Sequence, residues 1–423
     1  MKTKRWGYSV IGVLVLLFAG LVYAWSVLAG PIGAFFTHWS STELSFTFTL
    51  CMMFFCLGGL ITGFLSTKIE AKIMLKISAV LFLAGFFIAS RANEIIILYI
   101  GYGVIAGTAS GIAYNSIMGN ITKFFPDCPG LISGILLMGF GFGSFLIGKV
   151  YQGFTPSGAG IDQWRVSFLV FGIILFAVMF VCSFFIRKPS EKELEEITKD
   201  MKNENMDKKS SKGEFTPAEM LKTSSFWIFF VWAILLSAAG LAIVSQASGV
   251  AKEVGNDISA GTISTVVGLI SIFNGIGRVI FGRLFDRIGR LKTMILNNIL
   301  FIIAIGILVL ALQSKQFILI IIGFMITGLA YGGITPTNSA FINDFYGSKN
   351  YAINLSLVNM NLLVASFGST IAGSLYDNSG SYFSTLIAMI GAIVVGFILT
   401  FMIKGNSKSR SMSTYNVAGV QNK

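Results

Sequence analysis

The sequence predicts an all-α membrane protein: twelve transmembrane helices arranged as two six-helix, pseudo-repeated halves. Three observations carry that prediction. Charged residues are 12% of the 423 and apolar residues 54%, with a mean hydropathy of +0.78, whereas soluble domains carry about 25% charged residues. The apolar residues gather into runs of about 20, the length that crosses a bilayer as a helix. The basic residues lie between the runs and alternate in density from loop to loop. A soluble fold of this size cannot cover its surface with so few charges, and a disordered chain lacks this much hydrophobic surface.

The runs are 8–29, 43–66, 73–91, 95–118, 130–149, 165–186, 225–248, 259–283, 292–312, 316–340, 351–376 and 381–403, numbered below as spans 1 to 12. The first is too long for the apolar core of a secretory signal peptide and reads as a true span. Each is expected to be a helix, because in hydrocarbon every backbone group must find its partner within its own segment. Of the 31 Lys and Arg residues, 25 lie at the termini, in the even-numbered loops or in the stretch after span 6. Five (Arg91, Lys149, Arg165, Lys252 and Lys315) lie on the opposite side, and Arg278 lies inside span 8. This bias places both termini in the cytoplasm of a multi-pass plasma-membrane protein. The net charge of +12 is thus a topology signal; no basic stripe for nucleic acid is present.

The expected division is an N-terminal half (1–186), a cytoplasmic linker (187–224), a C-terminal half (225–403) and a cytoplasmic tail (404–423). The linker mixes nine basic with nine acidic residues and is too short to bury a core of its own, so it reads as a short amphipathic helix or as disorder. The halves repeat. Ile105-Ala106-Gly107-Thr108-Ala109-Ser110-Gly111 in span 4 answers Ile326-Thr327-Gly328-Leu329-Ala330-Tyr331-Gly332 in span 10, and Ala19-Gly20-Leu21 answers Ala239-Gly240-Leu241 at nearly the same offset. Two repeated halves joined by a linker are the build of an alternating-access carrier with its site near mid-membrane.

Gly282-Arg283-Leu284-Phe285-Asp286-Arg287-Ile288-Gly289-Arg290, between spans 8 and 9, matches the loop signature of the major facilitator superfamily; the equivalent Gly63 to Glu70 after span 2 has lost its aspartate and second glycine. The chain further resembles the oxalate/formate antiporter family and its monocarboxylate-transporter relatives. The segments that carry this are Arg5-Trp6, Tyr23-Ala24-Trp25, Phe124-Phe125-Pro126-Asp127, Gly130 to Gly134, Glu219 to Thr223, Phe226-Trp227 and Asn350-Tyr351; Cys128-Pro129 departs from the usual basic pair. The resemblance implies an arginine in span 8 that binds a carboxylate, pocket tyrosines near Tyr23, Tyr114 and Tyr331, and a cytoplasmic charge latch of Asp286, Arg287 and Arg290.

The residues themselves point the same way. Arginine at a helix centre costs roughly 2.5–3.5 kcal/mol on the insertion scale, and Arg278 lies eight residues before Asp286, about 12 Å along a helix. Ser271, Asn274 and Arg278 share one face. No span holds a well-centred Asp or Glu, so a substrate carboxylate can serve as counter-ion; snorkelling to the helix end is the alternative. Tyr23, Tyr114 and Tyr331 can wall a pocket or belt the interface. Asn354 and Asn361, seven apart on span 11, can touch substrate or glue helices, with Asn359 expected to point elsewhere.

Other chemistry is thin. The single histidine, His38, and the unpaired spacing of Cys51, Cys56, Cys128 and Cys182 offer no metal centre or catalytic triad, so neither a cofactor nor an enzyme is expected. The glycine runs Gly139–Gly143 and Gly103–Gly111 read as helix packing. The expected function is a monomeric secondary carrier of small organic carboxylates, by anion exchange or linked to protons. A dicarboxylate exchanger of the oxalate/formate type, or a carrier of another small anion or neutral metabolite, is the alternative. Oxalate carriers of the resembled family add a lysine in span 11; here no basic residue lies between Lys349 and Lys404, and Asn361 or Leu362 stands near the vacant place. One buried cation favours one carboxylate.

Overall fold

The computed structural model describes residues 2–39, 41–155, 160–190, 193–195, 214–255 and 257–403. Expectations about most of the linker and about the tail lie outside the described residues. Ten helical stretches are long and apolar enough to cross a membrane. One of these, Thr265–Ser314, holds two of the expected spans, and the shorter apolar helix Pro129–Gly143 supplies another. All twelve runs read from the sequence therefore stand as helices.

Spans 1 to 6 begin with α1 (Lys2–Ala19), a 3-10 turn (Gly20–Ala24) and α2 (Trp25–Phe35), then α3 (Ser41–Leu65) and α4 (Ala71–Ser90). They continue with α5 (Ile95–Leu98), a π-helical stretch (Tyr99–Ala106) and α6 (Gly107–Ile121), followed by α7 (Pro129–Phe154) and α8 (Ile161–Ser183). The short α9 (Pro217–Leu221) leads into α10 (Ser224–Val254), and α11 (Ala260–Ser314) carries both span 8 and span 9. Span 10 is α12 (Phe317–Gly332) with α13 (Ile334–Tyr346); span 11 is α14 (Tyr351–Asn359), α15 (Asn361–Ala365) and α16 (Phe367–Ser379); span 12 is α17 (Phe383–Met402).

Besides the 3-10 turn in span 1, spans 4, 10 and 11 are interrupted and spans 8 and 9 join at a bend, and each of these has a local cause. Pro336 lacks an N–H and leaves the Gly332 carbonyl without its helical donor, so span 10 breaks there. Span 11 tightens at Met360 (φ −60°, ψ −14°) and again at Ser366 (φ −60°, ψ −26°), the dihedrals of a 3-10 turn. Spans 8 and 9 meet at Gly289, whose φ of 78° and ψ of 173° turn the chain without a loop. Span 4 widens into its π stretch where Tyr102 is buried and its phenol donates to Val22 O at 3.0 Å on span 1. The outward faces carry Phe64, Val80, Val166, Phe184 and Ile398, the apolar surface that lipid requires.

Polar contacts tie each end differently. At the end that bears the 214–223 segment, here the linker end, spans 1–6 and 7–12 touch each other. Gly130 N and Leu131 N donate to the two Asp286 carboxylate oxygens at 3.0 and 2.7 Å, so span 8 caps the N-terminus of α7. Buried Ser133, Ser339 and Tyr351 share a chain of hydroxyl hydrogen bonds across the seam. At the far end the contacts run within each group: Arg165 donates to Ala92 O at 3.0 Å, and Glu253 accepts from Ser381 Oγ at 2.6 Å and Tyr382 N at 2.9 Å.

Candidate functional site between spans 5 and 8

Span 8 approaches span 5 at backbone contact. A Cβ on Gly134 would lie 2.3 Å from the Arg278 carbonyl oxygen, and one on Gly282 would lie 2.1 Å from that of Gly130. Small residues permit this approach, and it delivers the Arg278 side chain to span 5. There Nη1 donates to Leu137 O at 2.6 Å, while Nε donates to Asn274 Oδ1 at 2.9 Å, one turn back on its own helix. The half-buried guanidinium is thus oriented at two points and lies along Gly141, where an added Cβ would come within 3.5 Å of Cζ. It has not snorkelled to the helix end: its partners are a mid-span carbonyl and amide.

Two of the expected tyrosines gather round this charge. Tyr114 is buried, its ring edge-on to Phe55 at 5.3 Å and to Phe140 at 5.8 Å, and it lies within electrostatic reach of Arg278. Tyr331 lies on span 10 with its ring laid over Gly240 of span 7, and the next residue, Gly332, packs on the Asn274 carbonyl. Asn274 serves as the positioning partner of the arginine. The side chain of Tyr23 lies outside the described residues.

The asparagines of span 11 depart from expectation. Asn354 and Asn361 do not share a substrate-facing surface: Asn354 Nδ2 donates to Phe215 O at 3.2 Å beside the linker, and Asn361 Nδ2 to Val358 O at 2.6 Å within its own span. The tightened turn at Met360 breaks the 3.6-residue count on which the pairing relied. Asn359, expected to point away, instead donates from Nδ2 to Tyr114 Oη at 3.3 Å. The latch is also differently built. Asp286 acts on a helix N-terminus, Arg290 donates to Ile403 O at 3.2 Å and lies over the Phe345 ring at 5.2 Å, and Arg287 is exposed.

Sequence reasoning missed the Leu137 carbonyl, the seam of hydroxyls and the docking of the linker's last residues. Glu214 accepts from Lys349 N at 2.8 Å, and Phe215 N donates to Tyr346 O at 3.0 Å. Residue type alone does not announce a backbone carbonyl; of the seam hydroxyls, Ser133 stands alone in an apolar run, while Ser339 follows Thr337-Asn338 and Tyr351 follows Asn350, in polar stretches.

The pattern of the Major Facilitator Superfamily matches residues 8–255 and again 229–415. The chain belongs to the Major Facilitator Superfamily. Among its relatives is the oxalate:formate antiporter of Oxalobacter formigenes, 26% identical over 95% of this chain and 92% of that protein. Monocarboxylate transporter 12 of Mus musculus is 25% identical over 86% of this chain and 78% of its own length. Among solved structures, the proton:xylose symporter XylE bound to 6-bromo-6-deoxy-D-glucose superposes with a TM-score of 0.75 at 15% identity, covering 95% of both chains. FucP in the outward conformation does so at 0.64 and 12%, covering 95% of this chain and 99% of its own. These two likenesses speak to fold. The family and the fold are those of multi-pass membrane transporters, not of enzymes.

Cys128 lies at the closed linker end as the residue before α7, with its thiol pushed up to about 12 by burial and then by the neighbouring Asp127 and Asp286 carboxylates. The other three cysteines are also buried and free. In a variant keeping Cys128 alone, alkylation at pH 8 is expected to be at least a hundredfold slower than for an open thiol of pKa about 8.5. It should accelerate when transported substrate on both sides sets the carrier cycling. Labelling of the resting protein at the open-thiol rate would contradict closure at this end.

Proposed function

We propose that the protein is a secondary carrier that moves small monocarboxylates across the plasma membrane by alternating access, with both termini cytoplasmic. The observation that carries this reading is Arg278, oriented by Leu137 O and Asn274 Oδ1 in mid-span, with Tyr114 packed on Phe140, the residue before the glycine along which the guanidinium lies. A guanidinium oriented at two points is suited to a carboxylate, which it meets as a planar fork. The relatives named for oxalate, formate and monocarboxylate transport fit the same chemistry. Contact between the two groups at the linker end corresponds to a state closed to the cytoplasm, with access from outside. The carrier works as a monomer, by exchange or with a proton travelling on the substrate, since the spans hold no well-centred carboxylate.

The chain carries one cation in this region and no lysine between Lys349 and Lys404. A second anionic group would be desolvated unpaired, at a cost of several kcal/mol. In counterflow with reconstituted protein at neutral pH, monocarboxylates are expected to outcompete oxalate at least tenfold. Oxalate winning by that margin over every monocarboxylate would favour the alternative, a dicarboxylate exchanger.

A further inference from the structure

Spans 3 and 6 pack against each other, and their corner at the linker end gathers basic residues. Lys72 and Lys76 lie one turn apart on α4, while Arg187 and Lys188 follow the end of α8. Two of these four cations are answered within the chain. Lys72 Nζ meets Glu70 Oε2 at 2.7 Å, and Arg187 donates to both carboxylate oxygens of Glu193 at 2.7 Å. Lys76 and Lys188 are not answered: among the described residues neither ammonium has a carboxylate within 4 Å. The Glu70 carboxyl is held below its usual range by its hydrogen bond from Lys72 and, more weakly, by the Lys188 charge, so Lys188 stands over the same corner. Lys76 is held in place by aromatic faces: its Nζ lies 4.4 Å from the Phe184 ring centroid and 5.7 Å from that of Phe180. It is the sixth residue of α4, about 7.5 Å along the helix, but helical side chains lean towards the N-terminus, so its stem points back to the membrane boundary. Around it the surface is apolar. Ile73, Ile77 and Val80 share the Lys76 face of α4, Val181 and Phe185 lie beside Phe184 on span 6, and all are exposed.

We propose that this corner binds one anionic phospholipid of the leaflet at the linker end, its phosphate taken by Lys76 with Lys188 and its chains laid over the exposed faces of spans 3 and 6. Charge is the first argument. Two cations remain after the chain's own acids are used, and at the membrane boundary the abundant counter-ion is a lipid headgroup. The second is the apolar surface beside them. A ligand that covers both the ammonium groups and the exposed Ile, Val and Phe side chains must itself be amphipathic, with an anionic head and a hydrocarbon body. A zwitterionic headgroup carries its own ammonium, which the two lysines repel; an anionic headgroup brings none. Arg278 takes no part in this corner, so the site stands whether or not the carried substrate is a carboxylate.

The test titrates full-length, delipidated protein in detergent with phosphatidylglycerol or phosphatidylcholine of the same chains, and counts bound lipid by native mass spectrometry. The wild type is expected to bind its first phosphatidylglycerol at least about tenfold more tightly than phosphatidylcholine. Lys76→Met keeps a stem on the two rings and removes the charge, and should bring the ratio to within about threefold of one. Lys76→Arg, with the charge kept, should retain most of the preference, and so should Lys292→Met, at an exposed lysine of span 9. Inorganic phosphate in large excess should leave the lipid bound. Equal affinity for the two lipids in the wild type, or an undiminished ratio in Lys76→Met, would overturn the site. An equal loss in Lys292→Met would reduce it to a general attraction for positive charge, and displacement by inorganic phosphate would reassign the lysines to a soluble anion; either result overturns the proposal.

Discussion

Carboxylate uptake falls to background when Arg278 becomes glutamine, and Arg278→Lys recovers less than about a tenth of it. The expected size follows from what is removed. A charge-assisted fork on a carboxylate is worth at least about 3 kcal/mol in a desolvated site, which is more than a hundredfold at about 1.4 kcal/mol per decade. Lysine restores the charge but not the planar fork, and its single ammonium cannot meet Leu137 O and Asn274 Oδ1 and also present an edge to substrate. Folding is not the weak point. Glutamine removes a charge that opposes insertion by roughly 2.5–3.5 kcal/mol, and its amide nitrogen, placed about where Nε stands, can still donate to Asn274 Oδ1. The measurement is initial uptake into proteoliposomes, normalised to inserted protein; wild-type rates in Arg278→Gln would end the assignment of this residue to the substrate.

The second large effect is expected far from any substrate. Valine at Gly282 or at Gly134 puts a Cβ 2.1 or 2.3 Å from a carbonyl oxygen of the facing helix, so spans 5 and 8 must part by about an ångström. Overpacking of this kind costs about 1–3 kcal/mol, and here it falls on the state with the linker end closed. The equilibrium should shift about 5- to 150-fold towards the state open at that end. Exchange collapses because one half of the cycle is no longer visited, and Cys128 becomes rapidly alkylated in the resting protein. Gly153→Val is the control, since a Cβ there meets nothing within 4 Å. Slow labelling of Cys128 with normal exchange in both seam variants would show that the closed contact does not govern the cycle.

How far the sequence reached is plain from particular residues. The twelve spans were legible because hydrocarbon imposes length and hydropathy directly on the chain, without reference to neighbours. Arg278 was legible for the same reason: a charge in that medium demands an explanation, whatever it touches. Asn354, Asn359 and Asn361 were not, because their facing depends on helical phase, and the tightened turn at Met360 resets the phase midway. The latch signature around Asp286 was visible as a string, yet its structural object, the N–H groups of Gly130 and Leu131, has no side chain to read. The seam hydroxyls of Ser133, Ser339 and Tyr351 come from three spans more than 200 residues apart at the extremes, and only tertiary structure brings them together.

Gly289 carries a lesson for anyone reading a loss-of-function screen of this protein. No atom lies within 4 Å of where its Cβ would stand, so a contact map marks the position as permissive. Its backbone, at φ 78° and ψ 173°, occupies a region that even asparagine and aspartate shun, and Gly347 does the same at φ 82° and ψ 178°. Both positions should therefore score as intolerant of all nineteen replacements. In such data they would imitate ligand contacts, and a site inferred from mutational sensitivity alone would be drawn at the two bends of the polypeptide.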